Sequence, residues 1–188
     1  MSWGLIIRDL WFAWFVYWII SAIGNKATAR RERTLSERFY RIPTLIGVLL
    51  LIVPRWHGHG LSFRFLPFSP IVEGFGVALL VAGLAFSVWA RIHLGGNWSG
   101  IVTVKKDHEL IQTGTYAWVR HPIYTGILLG LLGTVIALGE WRGLFAFTLM
   151  TIGFVLKLRV EERWLSETFG EPYVQYKREV PALFPGIY

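Results

Sequence analysis

Two short stretches of this chain hold side chains that could carry out chemistry together. The first is Arg120-His121-Pro122-Ile123-Tyr124-Thr125-Gly126. The second is Lys157-Leu158-Arg159-Val160-Glu161-Glu162. Pro122 suits the first turn of a helix, where its missing N–H costs nothing. The uncompensated backbone N–H groups at such an end favour an anion or a polar ligand, and Arg120 adds a positive charge. Tyr124 follows Arg120 by four residues and His121 by three, which puts all three on one helical face. Gly126 lets a neighbour or a ligand come close. Glu161 and Glu162 repel each other, so a positive partner is expected: Lys157, Arg159, Arg163 or a bound cation. A site with one positive and one negative end beside an apolar cavity suits a zwitterionic or cationic cofactor. The plainer reading makes these charges topology markers and intramembrane ion pairs.

The elements that must bring the two stretches together are legible between them. About 30 nearly uncharged residues separate them, enough for two membrane-crossing helices. Gly139-Glu140-Trp141-Arg142-Gly143 breaks this run near its middle. Two antiparallel spans joined by a tight turn would return the chain to the face it left. Composition agrees: 188 residues, 54% hydrophobic and only 16% charged, where a soluble domain carries about 25% charge. Ten tryptophans and seven tyrosines fit membrane interfaces, which favour both. The formal charge is +7, but the basic residues sit in loops between apolar runs. They orient the chain in a bilayer better than they suggest nucleic acid. Without cysteine, disulfides, thiolate catalysis and Cys-ligated metals are excluded.

In order, the predicted spans are Trp3–Ile23, Ile42–Trp56, Ile71–His93, Ile123–Leu138 and Trp141–Leu156. The class is all-α: one domain with five transmembrane helices and a helical cytoplasmic C-terminal tail. Residues 1–70 read as generic spans and 75–188 as the catalytic core. No cleavable signal peptide is expected, because the first apolar run is long and lacks a basic leader. Trp3, Trp11, Trp14 and Trp18 read as lipid-facing and interfacial, and Arg8 and Asp9 can pair with each other. Asn25–Arg41 carries six basic residues against Glu32 and Glu37. That loop is cytoplasmic by the positive-inside rule, which puts the amino terminus outside and the tail inside. The second span opens at Pro43. His57 and His59 have no third ligand nearby, so no metal site is expected. The glycines and alanines of the third span allow close helix packing. Ile101–Val104 reads as a short extended piece. Gly170 reads as a helix stop and Pro172 as part of the next helix start.

Ile111-Gln112-Thr113-Gly114-Thr115-Tyr116, the Arg-His-Pro-x-Tyr-x-Gly element, Glu161-Glu162, Leu165, Phe169-Gly170, Tyr173, Tyr176 and Pro181 together resemble the isoprenylcysteine carboxyl methyltransferase family. That family belongs to a wider group that includes phospholipid N-methyltransferases. Arg91, Leu94-Gly95 and Asn97-Trp98-Ser99 are similar to a segment of bacterial and archaeal members. The resemblance covers about residues 75–188. Thr115 stands where the family usually has proline, and Lys157 where several members have arginine.

The resemblance implies a multi-pass protein of a prokaryotic plasma membrane. It implies methyl transfer from S-adenosyl-L-methionine to a lipophilic acceptor, the carboxylate of an isoprenylcysteine-like or other isoprenoid or lipid substrate. The implied cofactor set is Gln112, Thr113, Gly114, Tyr116, Arg120, His121, Pro122, Tyr124, Gly126, Glu161 and Glu162. Within it the 111–116 loop would hold the adenosine end, and a glutamate would face the ammonium or ribose. The implied catalytic set is Glu162 with Arg91, Lys157 or Arg159 orienting a substrate carboxylate. Alternatives are phospholipid amine methylation, a sterol-reductase-like fold that shares Arg-His-Pro, and a non-catalytic lipid-binding subunit. Reductases of that kind are much longer, and the Glu-Glu pair argues against them.

Overall fold

A computed structural model describes residues 2–23, 28–31, 34–52, 60–98, 103–105 and 109–184. His57, His59, Ile101 and Val102 lie outside the described residues. Six helices follow in order: α1 (Trp3–Ser21), α2 (Thr34–Ile52), α3 (Pro70–Leu94), α4 (Pro122–Leu138), α5 (Trp141–Phe169) and α6 (Glu171–Glu179). The described fold is helical apart from one antiparallel ribbon, β1 (Thr28–Arg31) with β2 (Thr103–Lys105). α1, α3 and α5 are each long and apolar enough to cross a membrane, and α4 is a shorter apolar helix. The protein is thus a multi-pass membrane protein.

Two antiparallel helix pairs make the body, and glycine sets the spacing in both. A methyl group on Gly83 of α3 would collide with the Gly130 nitrogen of α4. One on Gly126 would lie 2.6 Å from the Gly83 oxygen and from the Ser87 nitrogen. These backbones touch, as small residues allow where lipid gives no hydrophobic drive to pack. Gly126 therefore faces α3. In the second pair Gly47 of α2 meets Ala146 and Met150 of α5, and Gly153 of α5 meets Tyr40 and Thr44. Gly139 ends α4 with φ +62°, a conformation glycine adopts without strain. α5 begins two residues later, so the tight turn joins the pairs.

The first and second helices depart from the sequence reading. Trp11, Trp14 and Trp18 turn inward. Trp11 Nε1 donates to Thr134 Oγ1 at 3.0 Å and Trp14 Nε1 to Ser87 Oγ at 2.8 Å, while Trp14 stacks on Trp18. Their spacing of three and four residues makes one face, and buried indole N–H groups need partners. Phe12, Phe15, Ile19 and Ile20 are exposed on α1 instead. Arg8 and Asp9 do pair, at 2.8 Å. α2 starts at Thr34, not at Pro43, which lies inside it. Residues 34–41 thus extend the helix out of the predicted loop, and Glu37–Arg41 makes an i,i+4 ion pair at 2.8 Å.

At the end of the body remote from Pro122, residues 60–69 close over the α4–α5 turn. Arg64 Nη1 donates to the Leu138 carbonyl at 2.7 Å, and Phe65 N to the Gly139 carbonyl at 2.7 Å. These bonds satisfy carbonyls that a helix end leaves open.

Candidate functional site

The Arg-His-Pro stretch and the Glu-Glu pair meet at the end where α4 begins and α5 runs on towards α6. Glu162, 5% exposed, is the centre of the meeting. Arg120 Nη2 lies 2.7 Å from Glu162 Oε1, and Nε donates to the same oxygen at 2.8 Å. His121 Nε2 lies 3.2 Å from that oxygen, and Lys177 Nζ of α6 is 3.1 Å from Oε2. Arg120 Nη1 also donates to the carbonyls of Lys177 and Val180.

The tail occupies the place the sequence reading gave to an anion. Arg120 N donates to the Pro181 carbonyl at 2.9 Å and His121 N to the Ala182 carbonyl at 3.0 Å. Thr125 Oγ1 donates to the Leu183 carbonyl at 2.6 Å. Carbonyl dipoles satisfy these N–H groups as an anion would, and they come with the chain. Tyr176 Oη donates to the Tyr116 carbonyl at 2.5 Å, which ties α6 to the 111–116 loop. His121 and Glu162 therefore touch directly. Their contact with Arg120 and Lys177 is a clamp on the tail.

Glu161 is separate from this clamp. Adjacent residues on a helix point about 100° apart, so the pair divides between two surroundings. Tyr124 Oη donates to Glu161 Oε2 at 2.7 Å. Lys157, one turn before Glu161, places its ammonium 5.3 Å from the centre of the Tyr124 ring. The rings of His121, Tyr124 and Phe154 stack in a column, with centres 5.5 and 5.2 Å apart. A carboxylate beside aromatic faces is a setting that attracts a cation. Tyr173 is buried beside the clamp, and its hydroxyl has no hydrogen-bond partner among the described residues. That leaves a donor for a bound group. Glu161, the ring column and this hydroxyl fit a compact zwitterion carrying a sulfonium.

The remaining expected residues are spread around this core. Gln112, Thr113 and Gly114 are exposed on the loop, and Tyr116 is buried beneath it. His93, which the sequence reading did not single out, bonds Thr113 Oγ1 at 2.9 Å and stacks on Tyr116. Pro122 is fully buried at the start of α4. Arg91 is not in the cluster. Its guanidinium donates to the Gly95 carbonyl at 2.6 Å and to the Ser21 carbonyl, and lies over Trp98. It borders a hollow of about 220 Å³ with Tyr17, Ser21, Gly95 and Gly96. Arg159 is exposed, because two residues turn it about 200° from Lys157. Arg163 is exposed too. The cation missed from α6 is Lys177, which had a signal: Tyr173, Tyr176 and Lys177 share one face of a short helix. Phe154 carried none beyond its place in an apolar run.

Comparison with known proteins bears on the same segments. The model of the isoprenylcysteine carboxyl methyltransferase family matches residues 76–167, from α3 through the Glu-Glu pair. That match spans 92 of the 188 residues. Among its relatives, the protein-S-isoprenylcysteine O-methyltransferase of Schizosaccharomyces pombe is 39% identical over 101 residues, 52% of this chain and 43% of its own. Protein-S-isoprenylcysteine O-methyltransferase B of Arabidopsis thaliana is 26% identical over 186 residues, 97% of this chain and 92% of its own. A solved structure described as the eukaryotic intramembrane Ras methyltransferase ICMT, without a monobody, superposes with a TM-score of 0.56 at 27% identity. The match covers 81% of this chain and 50% of that one. The chain thus spans about half or less of the Schizosaccharomyces relative and of the solved chain, and nearly all of the Arabidopsis one.

Proposed function

We propose that this chain is a membrane-embedded methyltransferase that uses S-adenosylmethionine and methylates the carboxylate of an isoprenylcysteine-like or other isoprenoid lipid. The observation that carries the reading is the Glu161–Tyr124–Lys157 group, set beside but apart from the Glu162 clamp, within the family-matched segment. The helices α1 to α5 all cross the bilayer. The basic stretch between α1 and α2 lies inside, and the site opens on that side.

S-adenosylmethionine, when bound, supplies an electrophilic methyl on a sulfonium with a neutral leaving group. The 111–116 loop holds its adenosine end, and Glu161 and Tyr173 hold its polar groups. The ring column of His121, Tyr124 and Phe154 offers π faces to a cation. Lys157 is the cation placed to orient a substrate carboxylate. Arg91 and Arg159 are directed elsewhere. Enclosure by the loop, α4, α5 and the tail excludes water and aligns the reactants. His121 is already bonded to Glu162 and Glu161 to Tyr124, so neither stands free as a base. An amine acceptor must lose a proton and a carboxylate need not, which favours O-methylation.

The test is to give purified protein in nanodiscs radiolabelled S-adenosylmethionine with prenylcysteine analogues and, separately, a lipid extract. Label in a base-labile methyl ester is expected. Label only in phospholipid headgroups would move the assignment to amine methylation. No cofactor binding at all would reject the reading.

A further inference from the structure

The two helices of the α2–α5 pair carry exposed arginines directly above exposed apolar stripes. On α2 the exposed positions Arg38, Ile42, Leu45, Leu49 and Ile52 follow steps of three and four, and the exposed Arg41 lies one turn before Leu45. They form one face, with two guanidiniums at one end and aliphatic side chains below. On α5 the exposed Phe145, Ile152 and Arg159 recur every seven residues, and Arg163 is one turn further on. The helices are antiparallel, with Gly153 against Tyr40 and Thr44, so both sets of arginines lie at the same end. Each stripe marks where acyl chains run, and each arginine pair marks where the polar headgroup must begin.

We propose that these arginines, Arg38 with Arg41 and Arg159 with Arg163, bind the phosphates of anionic phospholipids whose chains lie along the stripes. Every cation at these four positions is arginine, whose planar fork matches phosphate oxygens in pairs. Only Arg41 has an ion pair among the described residues, to Glu37 on its own helix, and it remains half exposed. Headgroups of opposite charge complete the shell of the other three. This explains why Arg159 and Arg163 point away from Glu161 and Glu162. It holds whether or not the chain transfers methyl groups, because it needs only the membrane embedding.

The experiment is native mass spectrometry of the whole protein released from mixed phosphatidylglycerol–phosphatidylcholine micelles. Wild type should retain phosphatidylglycerol in preference to phosphatidylcholine. Each arginine replaced by glutamine should cut that preference about fivefold, from the energy typical of a basic residue at an anionic surface. R38Q/R41Q and R159Q/R163Q are measured separately and then combined, so that one poorly folding variant leaves the other to decide. A combined variant that keeps the full preference, or a wild type that shows none, would overturn the proposal.

Discussion

Glu162 and Arg120 are 42 positions apart in the chain and 2.7 Å apart in the fold. The pair closes a loop that includes the whole α4–α5 hairpin. Lys177 and His121 share the same carboxylate, so a single acid fastens the start of α4, the exit of α5 and the tail.

Glu162→Gln should therefore act on stability and Glu161→Gln on binding. Removing one partner of a buried ion pair costs about 3–5 kcal/mol, here by leaving Arg120 without its counter-charge. Thermal unfolding should fall sharply, and limited proteolysis should reach the tail after α6. Glu161→Gln should leave the midpoint nearly unchanged and weaken S-adenosylmethionine binding at least tenfold by calorimetry. Equal losses of stability in both variants would contradict the division of roles.

Gly126→Val should separate α3 from α4. Its side chain would meet the Gly83 oxygen and the Ser87 backbone, and neither can move without the helix. The cost should be at least about 1–3 kcal/mol, the usual cost of overpacking, read as a lowered unfolding midpoint in detergent. Were Gly126 a cofactor contact instead, the variant would bind more weakly at unchanged stability.

Thr115→Pro should stabilise the protein. Thr115 is completely buried and its hydroxyl has no hydrogen-bond partner among the described residues. It sits in the short 3-10 turn Gly114–Ala117, whose turn bonds run to its carbonyl. That turn needs the φ that proline already has. A gain of about 0.4–1 kcal/mol from the stiffer unfolded chain is expected. A destabilised variant in urea or thermal unfolding would show that the hydroxyl is used.

Stability should fall as pH rises above about 10, the ordinary tyrosine value. Burial pushes the phenols of Tyr116, Tyr173 and Tyr176 well above it, and Glu161 or Glu162 adds to the shift. The folded state keeps these protons after the unfolded chain has lost them, so rising pH favours unfolding. Below pH 10 this contribution is fully present. Tyr176→Phe removes one such group, so its alkaline loss of stability should be shallower than that of wild type in a pH series of unfolding midpoints.

Much of the scaffold is written in local sequence. Apolar run length marked the middles of α1 to α5, and Pro122, Gly139, Gly170 and Pro172 marked where α4, α5 and α6 begin or stop. Each of these is a property of neighbours in the chain: burial length, a fixed φ, a permitted positive φ. The small residues of α3 likewise announced a close helix contact. The sequence also brought Arg120, His121 and Glu162 to one end, since two spans return the chain to its starting face.

Which groups then touch was decided only by the tertiary structure. The turn of one helix about its axis sends Lys157 and Glu161 to Tyr124 and sends Arg159 outward. The register of α6 brings Lys177 to Glu162, and the tail's carbonyls reach backbone N–H groups that looked ready for a ligand. Arg91 found two carbonyls, one of them at the end of α1, and the α1 tryptophans found Ser87 and Thr134 instead of lipid. These choices depend on rotation and offset between helices far apart in the chain. Periodicity gives each helix its faces, but only packing decides what each face meets.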